Sequence, residues 1–188
     1  MEGFWVSITT ISIAEIGDRT QLLSLLLAAR FRRPWPIIAG ILCATLANHA
    51  VAGIVGVWFG TLLQPRTLQI VVGISMIAMA LWTLKPDKLD ENAGTASAMG
   101  AFLATLTSFF IAEIGDKTQI ATLALAAAYP NLLAVVSGTT AGMMLANVPV
   151  VFLGKAFADR LPIRAIHFGA AAIFSVLGVI FLLRALWH

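Results

Sequence analysis

The stretch Ile13-Ala14-Glu15-Ile16-Gly17-Asp18 lies in the first apolar run of the chain and recurs unchanged as Ile111-Ala112-Glu113-Ile114-Gly115-Asp116. Arg19-Thr20-Gln21 follows the first copy, and Lys117-Thr118-Gln119 follows the second. Such a long, gap-free identity between two apolar runs of one chain predicts an internal duplication.

The composition indicates that the lipid bilayer surrounds this protein. The chain has 188 residues, of which 60% are hydrophobic and 11% charged, and its mean hydropathy is +0.93. A soluble domain carries about 25% charged residues. The basic residues lie in short segments between apolar runs and form no clustered basic face, so we expect no nucleic-acid partner. The single cysteine, Cys43, excludes an intramolecular disulfide.

Six apolar runs are long enough to cross about 30 Å of hydrocarbon, which takes about 20 helical residues. We predict an all-α integral membrane protein with six transmembrane helices, built as a three-helix repeat over residues 1–84, a cytoplasmic linker over 85–98 and a second three-helix repeat over 99–188. The predicted spans are Phe4 to Ala29, Pro36 to Gly60, Thr67 to Leu84, Met99 to Ala128, Leu132 to Gly154 and Ile163 to Leu186.

An odd number of crossings in each repeat inverts the second repeat relative to the first. Transporters are commonly built this way, with the substrate site near the membrane midplane. Cytoplasmic loops carry an excess of lysine and arginine. We therefore place both termini in the periplasm of a bacterial inner membrane, which leaves Arg66 and Arg184 outside. The segments that then face the cytoplasm hold Arg30, Arg32, Arg33, Lys85, Lys88, Lys155, Arg160 and Arg164.

The duplicated motif places four carboxylates at membrane depth. Glu15 lies about half-way through the first span at a rise of about 1.5 Å per residue, and Glu113 is similarly central in the fourth. Each ionised acid there costs about 2.5 to 3.5 kcal/mol. On a continuous helix, a spacing of three residues would put Glu15, Asp18 and Gln21 on one face. Gly17 would permit close backbone approach or local unwinding, which frees carbonyl groups.

Oxygen donors from both halves predict a site for a divalent cation at the repeat interface. Oxygen ligands suit Mg²⁺, Ca²⁺ or Mn²⁺, whereas zinc and copper prefer imidazole and sulfur. Four acids against two basic residues leave two negative charges, which one such cation would neutralise. The predicted ligands are Glu15, Asp18, Gln21, Asn48, Glu113, Asp116, Gln119 and Asn147. The neighbours predicted to support them without binding the cation are Arg19, Thr20, Lys117 and Thr118.

Simpler interpretations exist for individual residues. Glutamate four residues before a cation forms a favourable helical pair, so Glu15 could pair with Arg19, and Glu113 with Lys117, within each span. That alternative leaves the two aspartates unexplained. His49 is either an interior residue or a proton relay. Met143 and Met144, one turn before Asn147, are predicted to be packing residues, although a thioether ligand would favour a softer metal.

The two copies of Glu-x-Gly-Asp-(Arg/Lys)-Thr, one in each half, resemble the motif of a family of small cation/proton exchangers. That family includes bacterial manganese exporters and Golgi manganese/calcium transporters, within the lysine-exporter superfamily, and the resemblance covers essentially the whole chain. It implies a secondary transporter that exports Mn²⁺ from the cytoplasm in exchange for protons. The implied partners are the bilayer and the metal ion, with a homodimer left open and no prosthetic group.

Four rival functions remain beside this one. A channel would show neither saturation nor counter-transport. A Ca²⁺/H⁺ exchanger would use the same ligands. Export of a small amino acid is suggested by the superfamily, but it would need a roomier and less acid-dense pocket. Intramembrane aspartyl proteases carry a Gly-x-Gly-Asp motif, but here Glu15 or Glu113 replaces the first glycine. We therefore do not expect an enzyme.

Overall fold

The computed structural model describes residues 1–84, 100–153 and 163–186, and every regular element in them is an α-helix. The prediction of an all-helical chain is therefore confirmed for the described residues, and the predicted linker over 85–98 lies outside them. The helices are α1 (Glu2–Glu15), α2 (Arg19–Phe31), α3 (Pro34–Leu62), α4 (Pro65–Thr83), α5 (Ala101–Glu113), α6 (Lys117–Ala128), α7 (Leu132–Leu153) and α8 (Ile163–Leu186).

The first and fourth predicted spans are not continuous helices, which corrects the sequence prediction. Each span breaks inside the duplicated motif, after Glu15 or Glu113. Gly17 has φ 83° and Gly115 has φ 75°, in the left-handed region that a right-handed helix cannot contain. The local unwinding that the motif glycine permits therefore occurs in both halves. The shared face proposed for a continuous helix does not form.

In the part of the chain that the structure describes, two helices are long and apolar enough to cross a membrane by themselves, namely α3 and the segment Leu132–Phe152 of α7. The outer surface of the molecule is also apolar, with Trp35, Leu81 and Leu133 among its exposed large side chains. A soluble protein rarely exposes so much apolar surface. These features fit a protein whose outer surface contacts lipid tails.

The helices of the two halves pack mainly on each other rather than within their own half. In the described residues α1 lies along α7, α3 contacts α5 and α6, and α4 lies along α8. Small residues permit this close approach: a Cβ added at Gly56 would lie 2.2 Å from the carbonyl oxygen of Leu123 on α6. Glycine lets membrane helices approach in this way. The two halves therefore share their interior.

Two buried apolar clusters divide that interior. The first joins α1, α4, α6, α7 and α8 and includes Ile11, Met76 and Phe174. The second joins α2, α3, α5 and α7 and includes Ile41 and Phe109. Since α1 precedes the first break and α6 follows the second, the two motif breaks lie where one cluster gives way to the other.

We predict that Gly56→Ala destabilises the protein by about 1 to 3 kcal/mol, the usual cost of overfilling a packed interior. The added methyl group must displace the backbone of α6, which cannot move as a side chain would. Gly100→Ala is the control, because a Cβ there meets nothing within 4 Å. The measurement is thermal unfolding in detergent. Equal melting temperatures for the two variants would contradict the close α3–α6 contact.

Candidate metal site

The four motif acids occupy equivalent positions at the two helix breaks. Glu15 ends α1 and Glu113 ends α5, while Asp18 and Asp116 are the N-cap residues of α2 and α6. All four side chains are buried, with at most 2% of any residue exposed. The breaks therefore bring four carboxylates into the interior, each at the end of a helix.

Ion pairs join the two breaks in a reciprocal manner. Lys117 Nζ lies 2.8 Å from Asp18 Oδ1, and an Arg19 guanidinium nitrogen lies 3.1 Å from Asp116 Oδ1. The same Arg19 nitrogen donates to the carbonyl oxygen of Ala112 at 2.7 Å. Each basic residue thus pairs with the aspartate of the other copy. The alternative in which Arg19 and Lys117 pair with the glutamates of their own spans is not what the structure contains.

Threonine hydroxyl groups contact the glutamates. The Thr20 hydroxyl donates to Glu15 Oε1, and Thr118 Oγ1 lies 3.1 Å from Glu113 Oε2 and 3.3 Å from Asp116 Oδ2. Within the described residues, Glu15 Oε2 and Glu113 Oε1 are buried and have no hydrogen-bond partner. Buried polar atoms are nearly always paired in native proteins. A proton or a cation would satisfy either of these two oxygens.

Three of the acids converge closely enough to share one ion. Carboxylate oxygens of Glu15, Asp18 and Asp116 all lie within 4.8 Å of one another. Mn²⁺-sized and Ca²⁺-sized ions bind oxygens at about 2.0 to 2.6 Å, so oxygens this far apart can lie on opposite sides of one ion. Glu113 stands outside this group and is linked to it through Thr118.

The two predicted glutamine ligands support the breaks. Gln21 Oε1 accepts a hydrogen bond from the Gly17 amide at 2.8 Å, and Gln119 Oε1 accepts one from Gly115 at the same distance. Gln21 Nε2 also donates to the carbonyl oxygen of Ala146 at 3.0 Å. In this structure each glutamine oxygen therefore accepts a hydrogen bond from the amide of the glycine at the helix break. Their use as cation ligands stays a prediction.

The two predicted asparagine ligands reach across to the broken helices of the other half. Asn147 Nδ2 donates to Glu15 Oε1 at 3.3 Å, while its Oδ1 accepts from Ser24 Oγ at 2.7 Å. Asn48 Nδ2 donates to the carbonyl oxygen of Phe110 at 3.1 Å. The structure thus places both asparagines beside the breaks. Ser24 was missed by sequence reasoning, although it lies one turn after Thr20 on the same helix.

His49 is buried in α3, and neither of its ring nitrogens has a hydrogen-bond partner among the described residues. The structure therefore shows no hydrogen-bonded chain through its imidazole there. A relay through His49 stays a prediction.

Comparison with known proteins agrees with this arrangement of acids. Residues 3–91 and 101–187 match the family model described as divalent cation/proton antiporter GDT1. The chain belongs to the GDT1 family. It is 53% identical over 175 residues to a proposed manganese exporter of Vibrio cholerae, covering 93% of this chain and 87% of that protein.

More distant members of the GDT1 family cover the chain equally well. A GDT1-like protein of Synechocystis is 25% identical, covering 96% of each chain. GDT1-like protein 5 of Arabidopsis thaliana is 24% identical, covering 95% of this chain and 94% of its own. No solved structure matches. Membership confirms the resemblance drawn from the motif and identifies the chain as one of a family of membrane transporters.

We predict that removing one partner of the Lys117–Asp18 pair destabilises the protein more than removing both. Asp18→Asn or Lys117→Met alone leaves a buried charge with its main partner lost, which costs about 3 to 5 kcal/mol. The double variant removes that imbalance and should recover most of the stability. The measurement is thermal unfolding in detergent.

The matched control is the pair Arg19–Asp116, because the Arg19 side chain is 37% exposed whereas that of Lys117 is 1% exposed. Exposure screens the charge left behind, so Asp116→Asn, which leaves the partly exposed Arg19, should lose less stability than Asp18→Asn, which leaves the buried Lys117. If the double variant is as unstable as the less stable of the two single variants, Lys117 and Asp18 do not form a stabilising buried ion pair.

Proposed function

We propose that this protein exports Mn²⁺ from the cytoplasm in exchange for protons. The observation that carries the proposal is the convergence of Glu15, Asp18 and Asp116 within 4.8 Å in a buried site of a GDT1-family chain. The proposal includes six spans in two inverted repeats, with both termini outside a bacterial inner membrane. The equivalent breaks of the two halves and their reciprocal ion pairs support that symmetry.

Charge balance explains how one site can exchange a metal for protons. Four carboxylates against Arg19 and Lys117 leave two negative charges, which one divalent cation or two protons would neutralise. Asp18 and Asp116 have their ion pairs, whereas Glu15 and Glu113 have hydroxyl donors and no ion pair among the described residues. The glutamates therefore carry the exchangeable charge. Since a carboxylate must be deprotonated to bind a metal, protons and metal compete for the same oxygens.

The choice of Mn²⁺ rests on the relative from Vibrio cholerae, whose name proposes manganese export and whose sequence is 53% identical. Ca²⁺/H⁺ exchange is the second candidate, because carboxylate and amide oxygens also suit Ca²⁺. Export of an amino acid is less well supported. Three acids with oxygens within 4.8 Å of one another form a site of ionic size.

The packing of α4 and α8 supports access of a cation to the acid cluster from one side of the membrane only. In the described residues α4 and α8 pack on each other, α8 packs on α1 and α4 packs on α6, whereas neither packs to a similar extent on α2 or α5. In the proposed topology α1 and α6 are the outer halves of the broken helices. The pair α4–α8 would then close the outer side, and the partly exposed Arg19 would mark the cytoplasmic approach. Export requires this pair to exchange its contacts for equivalent ones on α2 and α5.

The test is Mn²⁺ flux by purified protein in liposomes at zero membrane potential, with internal pH recorded by a dye. We expect Mn²⁺ flux to follow the imposed pH gradient and to move protons in the opposite direction. Glu15→Gln and Asp116→Asn should abolish flux while the protein still inserts, because each change removes charge and a ligand at little cost in volume. Near-normal flux in both variants would refute the shared site. Flux indifferent to the gradient would indicate a channel.

We also predict that Asn48→Ala and Asn147→Ala weaken apparent Mn²⁺ affinity by about tenfold, the lower end for residues that hold metal ligands in place. Asn131→Ala is the control, because the amide of Asn131 makes a local hydrogen bond at the start of α7 and, among the described residues, none to the acid cluster. Its Oδ1 accepts from the Ala134 amide at 3.0 Å. The measurement is the concentration dependence of uptake. Half-saturation unchanged from the control in both variants would reduce Asn48 and Asn147 to packing residues.

A further inference from the structure

Met143 packs in the first apolar cluster, as predicted, and its sulfur atom also contacts Asn147 beside the acid cluster. Its Sδ is 3.2 Å from Asn147 Nδ2, and that same nitrogen is 3.3 Å from Glu15 Oε1. The side chains of Met143, Asn147 and Glu15 are fully buried. One amide nitrogen therefore separates a thioether from a carboxylate of the site.

The other half of the chain has no thioether at the equivalent position. Asn48 is the counterpart of Asn147, and the residue one turn before it on α3 is Ala44, which is also fully buried. The adjacent Met144 is only partly buried and lines an apolar groove with Ile8 and Leu145. A sulfur atom is thus brought beside one asparagine of the site and not beside the other.

A cation in the acid cluster would change the contacts of Asn147. Its amide N–H groups now face Glu15 Oε1 and the sulfur and carbonyl oxygen of Met143. A divalent cation on Glu15 repels those N–H groups and attracts the amide oxygen. When the amide turns its oxygen to the ion, Met143 Sδ loses its N–H donor and is exposed to the same ion. The unbranched methionine side chain can adapt its position to it.

We propose that Met143 is a specificity-determining residue, whose thioether makes the site favour softer divalent cations over Mg²⁺ and Ca²⁺. This rests on the proposed function and deepens it. Carboxylate and amide oxygens by themselves suit Mg²⁺, Ca²⁺ and Mn²⁺ alike, whereas a thioether favours softer metals. The oxygens hold any divalent cation of suitable size, and the sulfur discriminates among them.

The experiment compares Cd²⁺ and Ca²⁺ as competitors of Mn²⁺ uptake in liposomes, because these two ions are similar in size and differ in softness. In the wild type Cd²⁺ should compete much better than Ca²⁺. Met143→Leu keeps the apolar volume and removes the sulfur, and it should reduce the preference for Cd²⁺ over Ca²⁺ by about tenfold. Met143→Gln, which supplies a hard oxygen on an unbranched chain, should shift it further toward Ca²⁺.

Met144→Leu is the matched control and should leave the preference unchanged. An unchanged preference in folded Met143→Leu overturns the proposal. X-ray absorption of Cd²⁺ bound to the wild type gives a test that needs no variant: we expect a sulfur neighbour, and a shell of oxygen alone would also overturn it. Absence of any Mn²⁺ flux in the wild type would instead refute the proposed function.

Discussion

The reciprocal ion pairs Lys117–Asp18 and Arg19–Asp116 are the constraint on which the remaining structure depends. Each basic side chain crosses from its own helix break to the break of the other half, so neither motif is electrostatically complete alone. Buried carboxylates are costly unless they are paired, and this cost is met only when the two halves interlock. The packing of α3 on α5 and α6, and of α7 on α1 and α2, holds the breaks at the required distance.

The helix breaks place the four acids in two different electrostatic environments. Asp18 and Asp116 occupy the N-cap positions of α2 and α6, where the positive end of the helix dipole favours an anion. Glu15 and Glu113 lie at the opposite, negative ends of α1 and α5. Each aspartate thus has both an ion pair and a helix N-terminus to offset its negative charge, whereas the described residues offer the glutamates neither of these. The charge left for a cargo cation or a proton to balance is therefore concentrated on the glutamates.

The sequence was sufficient to predict the all-helical fold, the duplication, the buried acids and the class of ligand. It was not sufficient to predict that the first and fourth spans break, because a glycine in an apolar run is equally compatible with a continuous membrane helix. In the structure, the left-handed φ of Gly17 accompanies a hydrogen bond from its amide to Gln21 and an ion-pair partner for Asp18. That partner is Lys117, in the other half, and a local periodicity contains no information about it. The spacing of three residues therefore suggested a shared helical face where the structure has a break.

Departures from the internal symmetry bear most directly on transport. Two related halves can form two conformations of similar energy, and alternating access needs such a pair of states. A perfectly symmetric protein would present the same groups to the site from both halves. Here Arg19 is partly exposed whereas its counterpart Lys117 is buried, and Met143 occupies the position that Ala44 has in the other half. Both copies of the motif supply the oxygens that any divalent cation requires, so the positions at which the two copies differ are the ones that can add a preference among such cations.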